Sequence, residues 1–425
     1  MDIDISGIPE SIVIDGLDFG SLSAKDHKRI IRESTPQNYP MIEGWIVEGC
    51  GGNDCTLTLR KTRGDEEVIR EVLDFHSMFS GLNFGTINEE IIGIAEEYFK
   101  SQYPATSRAI DHKYLAPALH ALARSTGRGL DRILMLSSGA EAVEAACAIA
   151  KKHWSLSKGS GAKKNDNAPY LVSAENCYHG TTTIGRALST NRKLKDGFGP
   201  LPTNILHVPF DDIKALEGVL QGKRRGLIAG VILEPIQGQG GGFIPSSSYL
   251  PMVRNLCHME NVPLILDEVQ TGFGRTGSMW AYQWSGIIPD ILCAGKAASG
   301  GIVPVSFVAG KEEIMTCLEV GMLASTWSGT PLQCIALLSS LKVLNDRQLA
   351  ARSRAKGELL KELLETLADH HPGCIYDIRG RGLYFCIDTC FPSGDLTEAL
   401  LEEGVFARGT GSTGKTLRLA PPLTI

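Results

Sequence analysis

Three short stretches of this 425-residue chain place reactive side chains where a buried strand should end. In "ILCAGKAASGG", Lys296 follows an apolar run and precedes small residues and two glycines, with no obvious ion-pair partner beside it. Desolvation disfavours an ammonium on such a ledge, so the amine becomes nucleophilic and suited to Schiff-base chemistry with aldehydes. In "VPLILDEVQTG", Asp267 and Glu268 close a second apolar run, where two carboxylates are costly unless something neutralises them. No histidine lies in that segment to complete a metal site, and Gln270 offers an amide that can donate or accept. In "RILMLSSGAEAVEAACAIAKKHW", Ser138, Gly139 and Ala140 open a helix, whose free N–H groups and dipole favour an anion. Each feature alone has a plainer meaning: a lysine pointing into solvent, a structural ion pair, an ordinary N-cap.

Together they describe one ligand. An anion site, a carboxylate and a nucleophilic amine, each closing a different strand, match an aldehyde that carries a phosphate and a protonatable ring nitrogen. Pyridoxal 5'-phosphate has those groups. A carboxylate beside its ring nitrogen would keep the ring protonated and able to accept electrons.

The elements that must hold these residues follow from the pattern. "YLVSAENCYHG", "GLIAGVILEPIQG", "VPLILDEVQTG", "DILCAGKA" and "PVSFVAG" are near-continuous apolar runs, as expected of strands buried on both faces. Helical segments such as "SSYLPMVRNLCHMEN" separate several of them. The alternation predicts an α/β fold with a mostly parallel sheet between helices, in which ligands bind beyond the carboxyl ends of the strands. At roughly 100–200 residues per domain, two domains are expected. We place an N-terminal arm with part of a small domain at 1–79, a large domain at 80–330 and the rest of the small domain at 331–425. "SKGSGAKKNDN" (Ser157 to Asn167) reads as an exposed loop.

Composition excludes several classes. Net charge is −6 and no long basic block occurs, so nucleic-acid binding has little electrostatic support. No apolar run approaches the roughly 20 residues of a membrane helix. The acidic start "MDIDISGIPESIVIDGLDFG" resembles neither a secretory signal nor a transit peptide. Eleven cysteines are scattered through apolar segments, and the close pair Cys50 and Cys55 has no companion at zinc-ligand spacing. Free thiols in the cytoplasm, with no metal, are expected.

The stretch from Glu234 ("EPIQGQGGG") to Gly310 ("PVSFVAG") resembles the heart of the class III, ornithine-aminotransferase-like, pyridoxal-phosphate enzymes. "LILDEVQTGFGRTG" followed by "PDILCAGKAASGG" is its most specific part; "SSGAEA", "YHG", "STWSGTPL", "IRGRGL" and "LRLAPPLTI" occur in the family's order. The resemblance runs from about Asn38 to the last residue. It implies a fold type I, aspartate-aminotransferase-like architecture: a large domain with a mostly parallel seven-stranded sheet plus a smaller α/β domain. It also implies ping-pong transfer of an amino group from an amine donor to an oxo-acid acceptor.

Site roles follow from the same resemblance. Lys296 matches the lysine that bonds the cofactor aldehyde and then moves the proton. Asp267 matches the partner of the ring nitrogen, Gln270 a residue near the phenolic oxygen, and Tyr178 the aromatic that stacks on the ring, with His179 following it. Ser138, Gly139 and Ala140 match the phosphate-binding turn. Thr326 matches a threonine that reaches the phosphate from a neighbouring subunit, implying a homodimer with shared sites. Arg418 matches the arginine that clamps a substrate carboxylate; Tyr39 and Phe79 match the substrate entrance. Glu234 is expected to be structural.

Two departures alter the expected chemistry. Thr181 stands where ornithine and acetylornithine aminotransferases usually carry an arginine for a substrate carboxylate, and nearby Arg186 belongs to the next part of the segment. Gln239 stands where ω-amino-acid members usually carry a glutamate that pairs with the C-terminal arginine, so Arg418 should remain available to carboxylates. The aromatic at the entrance is Phe79 in place of tyrosine. The chain ends at "PPLTI", where relatives usually continue with further helix, so a shortened C-terminus is expected. The reading is a specialised aminotransferase with an altered amine substrate. Decarboxylating transamination, racemisation on the same scaffold, and a catalytically silent paralogue are the rivals.

Overall fold

The computed structural model describes residues 22–35, 45–63, 66–106, 110–127, 129–157 and 169–425, together with a two-stranded ribbon formed by Val13–Ile14 and Leu17–Asp18. Tyr39 and nearly all of the Ser157 to Asn167 loop lie outside the described residues.

A seven-stranded sheet organises the large domain. Its strands lie in the order Arg132–Leu136, Ser306–Gly310, Ile291–Ala294, Leu264–Asp267, Ile228–Leu233, Tyr170–Ala174, Ile205–Val208. Only Ser306–Gly310 runs antiparallel to its neighbours; the other six share one direction. Every residue of the four strands from Ile228 to Gly310 is buried. Both faces are covered, which is why these strands are apolar throughout rather than alternating.

The alternation survives as a choice of partner. Ile265 packs with Ala142, Val143, Ala146 and Ile149 of the helix Gly139–Ser157 on one face. Leu264 and Leu266 face the other way, with Leu122, Val253 and Leu337 from the helices Leu115–Ser125, Tyr249–Met259 and Pro331–Asp346. Pro331–Asp346 thus buries its apolar residues in the core of the large sheet.

The C-terminal part is a four-stranded antiparallel sheet, ordered Ile375–Gly380, Phe385–Thr389, Thr416–Leu419, Arg408–Thr410. The helices Leu349–His370 and Ser393–Glu402 pack on it. An N-terminal sheet of Trp45–Cys50, Thr56–Arg63 and Glu66–Asp74 is completed by Val405–Phe406, parallel to Glu66–Asp74. The two ends of the chain interlock there. Ala420 N–H also donates to Phe75 C=O at 2.7 Å. No described helix is long and apolar enough to cross a membrane.

Candidate active site

Because six strands share a direction, the residues that follow them meet along one edge of the sheet. Lys296 leaves the strand Ile291–Ala294 in a left-handed conformation, φ 47°. That is uncommon for a side-chain-bearing residue and is held only where surroundings impose it. Among the described residues its ammonium has no hydrogen-bond or ion-pair partner. Burial, with the nearby Arg418 charge, pushes its pKa down to about 8 despite the opposing pull of Asp267 and Glu234.

The two adjacent carboxylates have separate tasks. Asp267 faces the cavity: Oδ1 accepts from Val269 N–H at 3.0 Å, and Oδ2 lies 2.8 Å from His179 Nδ1. Burial works against a charged His179, but Cys177 and the Asp267 carboxylate more than offset it, and the imidazole pKa is raised well above its ordinary value. Glu268 points away and accepts from the backbone N–H of Ala281 and Tyr282 and from the Thr271 hydroxyl, each at 2.8 Å. It anchors the loop behind the strand. Its burial raises its pKa to about 7.

Glu234, after the strand Ile228–Leu233, accepts from Tyr178 N–H at 2.9 Å and Gly238 N–H at 3.0 Å. It therefore ties the Tyr178–His179 turn to the neighbouring loop. A Cβ at Gly238 would lie 2.0 Å from Gln270 Oε1 and would push that side chain from its place.

The resulting cavity, about 210 Å³, is lined by Gly139, Ala140, Tyr178, His179, Thr181, Glu234, Asp267, Gln270 and Lys296. The residues present fit pyridoxal phosphate. An unpartnered amine and a carboxylate face one space, and the start of the helix Gly139–Ser157 opens onto it. A Cβ at Gly139 would come within 2.6 Å of Val269 Cγ1, so this turn is packed as closely as a glycine allows.

Other expected residues lie elsewhere. The Ser138 hydroxyl donates to the Glu141 carboxylate at 2.9 Å and accepts from Glu141 N–H at 3.2 Å, a capping arrangement outside the cavity wall. Thr326 is exposed and does not line the cavity of its own chain. Arg186 is turned away, its guanidinium 3.6 Å from the Phe198 ring centroid and donating to Leu194 C=O at 2.6 Å. Gln239 Oε1 accepts from the Thr410 hydroxyl at 3.3 Å.

Arg418 is 1% exposed, and none of its three guanidinium nitrogens has a hydrogen-bond acceptor among the described residues. No described carboxylate pairs with it, yet it is not open: the Phe79 ring lies over it at 5.1 Å. Two neighbours escaped the sequence reading. Arg408 sits directly opposite Arg418 on the adjacent strand, a pairing that strand alternation around "FARGTG" could have suggested. His76 is buried with its ring 4.3 Å from Phe79, and nothing in "DFHSMFS" signals that.

Comparisons with known proteins agree with this architecture. Residues 64–425 match the family model "Aminotransferase class-III". The chain is 36% identical over 355 residues to the ornithine aminotransferase of Bacillus subtilis, 84% of each chain. It is 33% identical over 413 residues to the mitochondrial ornithine aminotransferase of Oryza sativa subsp. japonica, 95% of this chain and 83% of that one. Among solved structures, the ornithine aminotransferase of Toxoplasma gondii ME49 matches with a TM-score of 0.85 at 31% identity, covering 95% of this chain and 91% of that one. Another structure of the Toxoplasma gondii enzyme is described with pyridoxal phosphate partially occupying its active site. The acetylornithine aminotransferase of Elizabethkingia anophelis matches with a TM-score of 0.80, also at 31% identity, over 95% of both chains. The likeness spans the sheet that carries Asp267 and Lys296, and the chain belongs to the class III aminotransferases, pyridoxal-phosphate-dependent transaminases of fold type I.

Proposed function

We propose that this transaminase uses an amine donor other than ornithine and an oxo acid held by one carboxylate, bound at Arg418. The observation that carries the reading is the buried Arg418 guanidinium, with no acceptor among the described residues on any of its three nitrogens. An uncompensated buried charge is strongly unfavourable, and a planar substrate carboxylate is the bidentate partner it lacks. At the cavity wall, Thr181 offers no second cation, and Arg186 is committed to Phe198 and Leu194. A dicarboxylic acceptor or an α-carboxylate on a long diamine therefore loses its distal contact.

Pyridoxal phosphate, when bound, supplies an aldehyde for amine exchange and a ring that delocalises the electron pair left on the substrate carbon. Lys296 would hold the aldehyde through its amine, and that amine is placed to take a proton from the substrate carbon and return it. Asp267, kept in place by His179 and the Val269 N–H, would hold the proton on the ring nitrogen. Tyr178 would stack on the ring, Gln270 would meet the phenolic oxygen, and Gly139 and Ala140 would supply backbone N–H groups to the phosphate, with Ser138, its N–H donated to the Glu141 carboxylate, shaping the same turn. The exposed Thr326 reaches the phosphate of a second copy, so the working unit is a homodimer with shared sites. None of the eleven cysteines forms a disulfide and most are buried, which suits the reducing cytoplasm. The ornithine aminotransferase relatives do not favour a decarboxylase or racemase.

Half-reactions test the assignment. The aminated enzyme should react with a monocarboxylic 2-oxo acid such as pyruvate at least as well as with 2-oxoglutarate, and ornithine should be a poor donor. Rapid turnover of ornithine with 2-oxoglutarate would refute it.

A further inference from the structure

We infer that Phe79 is a movable cover over the Arg418 clamp, taking the masking role that a carboxylate at position 239 would have. The inference rests on Arg418 being the carboxylate site, and it adds how that site opens.

Arg418 lies on the strand Thr416–Leu419, opposite Cys386 on one side and Arg408 on the other. Like charges directly opposite across strands repel, so the pair adds to the demand for an anion. Among the described residues that bear on it none supplies one: the Tyr384 hydroxyl and the Cys386 thiol stay protonated, their pKa values raised by burial. Lys296 and Arg408 are cations, and His76 is held neutral, its pKa pushed down to about 3 by burial and by Arg418, Arg408 and Lys296. The Gln239 amide is neutral and engaged with Thr410. What lies over the guanidinium is the face of an aromatic ring, 5.1 Å away, a weak attraction of the cation–π kind. Since every guanidinium nitrogen is sealed from solvent, some side chain must move before a carboxylate can reach it.

Phe79 is placed to be that side chain. His76, Tyr384 and Cys386 nearby are buried, whereas Phe79 is half-buried. It sits in a run of four left-handed residues without a glycine, Ser77 to Ser80, with φ of 44°, 48°, 57° and 66°. Such backbone is costly and persists only when anchored. The anchors are firm: Asp74 Oδ1 accepts from His76 N–H and Ser77 N–H at 2.8 Å, and Ser77 C=O accepts from Gly81 N–H at 2.8 Å. The backbone is thus fixed while the ring, adjoining the exposed Met78, is able to turn outward. With the ring in place the wall is apolar and suits an amine whose reacting carbon bears no carboxylate. With the ring aside, Arg418 receives the carboxylate of the oxo acid. Entry then requires displacing a ring and not an anion.

Calorimetric binding of propionate, an unreactive carboxylate, to the holoenzyme tests this. Phe79→Ala should bind propionate about tenfold more tightly than the parent, because the ring need not be displaced. Phe79→Leu, which keeps bulk but lacks the ring face and guards against loss of folding in the smaller variant, should also bind more tightly. Arg418→Ala should abolish binding. Unchanged or weaker binding in both Phe79 variants, with binding lost in Arg418→Ala, overturns the cover and leaves the clamp. Binding retained in Arg418→Ala overturns the clamp itself.

Discussion

His179 Nδ1 lies 2.8 Å from Oδ2 of Asp267, and both side chains are almost wholly buried. The pair fixes the orientation of the only carboxylate of the Asp267–Glu268 dipeptide that lines the cavity. Asp267→Asn should retain the fold and lower kcat by about 10²–10⁴. His179→Asn should lower it less, by about tenfold, since the negative charge stays but its orientation loosens. Single-turnover absorbance kinetics on both variants separate the two effects.

The depressed pKa of Lys296 sets a pH dependence. Below about 8 the amine is protonated and unreactive; above it the free amine dominates. The rate at which cofactor-free protein captures added pyridoxal phosphate should rise with pH and level off near 8. An unperturbed lysine would keep rising toward its ordinary value of 10.5. Stopped-flow absorbance follows the capture directly.

Thr181→Arg combined with Gln239→Glu restores the two charges absent from the substrate site. The double variant should gain about two decades in kcat/KM for ornithine with 2-oxoglutarate, since a bidentate charged contact is worth a few kcal/mol at 1.4 kcal/mol per decade. Steady-state assays with both substrate pairs check it.

A shared site is open to complementation. Lys296→Ala and Thr326→Glu should each be inactive alone. Co-refolded mixtures should recover activity, because a mixed dimer contains one site with both native residues. No recovery, with dimers present by light scattering, would place Thr326 outside the neighbouring site.

His76 contributes a stability term on the acid side. Its pKa is about 3 when folded against an ordinary 6.5, so between those values the unfolded chain binds more protons. Stability is therefore lost as pH falls below 6.5, by at most about 1.4 kcal/mol per unit from this group. Urea unfolding at pH 7, 6 and 5 should show a shallower decline in His76→Leu.

The sheet and its reactive edge were legible because strand burial and chain order are local properties. Lys296 and Asp267 each close an apolar run, and a run buried on both faces announces itself. The division of labour between Asp267 and Glu268 was not legible. It depends on which carboxylate meets the Ala281 and Tyr282 N–H groups, a contact set by a loop that the strand pattern does not describe. Arg186 could not be assigned from spacing either, since its commitment to Phe198 arises from the fold of the segment after Leu188. The Phe79–Arg418 stack is further out of reach, because it joins an N-terminal turn to a C-terminal strand through two different sheets.

The short parallel pairing of Val405–Phe406 with Glu66–Asp74 has a mechanical outcome. Asp74 leads within a few residues to Phe79, and Phe406 leads to Arg408 and, one hairpin later, to Arg418. Shield and anchor are thus joined through a seam between two sheets, Phe79 following the N-terminal one and Arg418 lying in the C-terminal one. A shift of that seam would carry both, resetting the reach from Arg418 to Lys296 while leaving the guanidinium shielded.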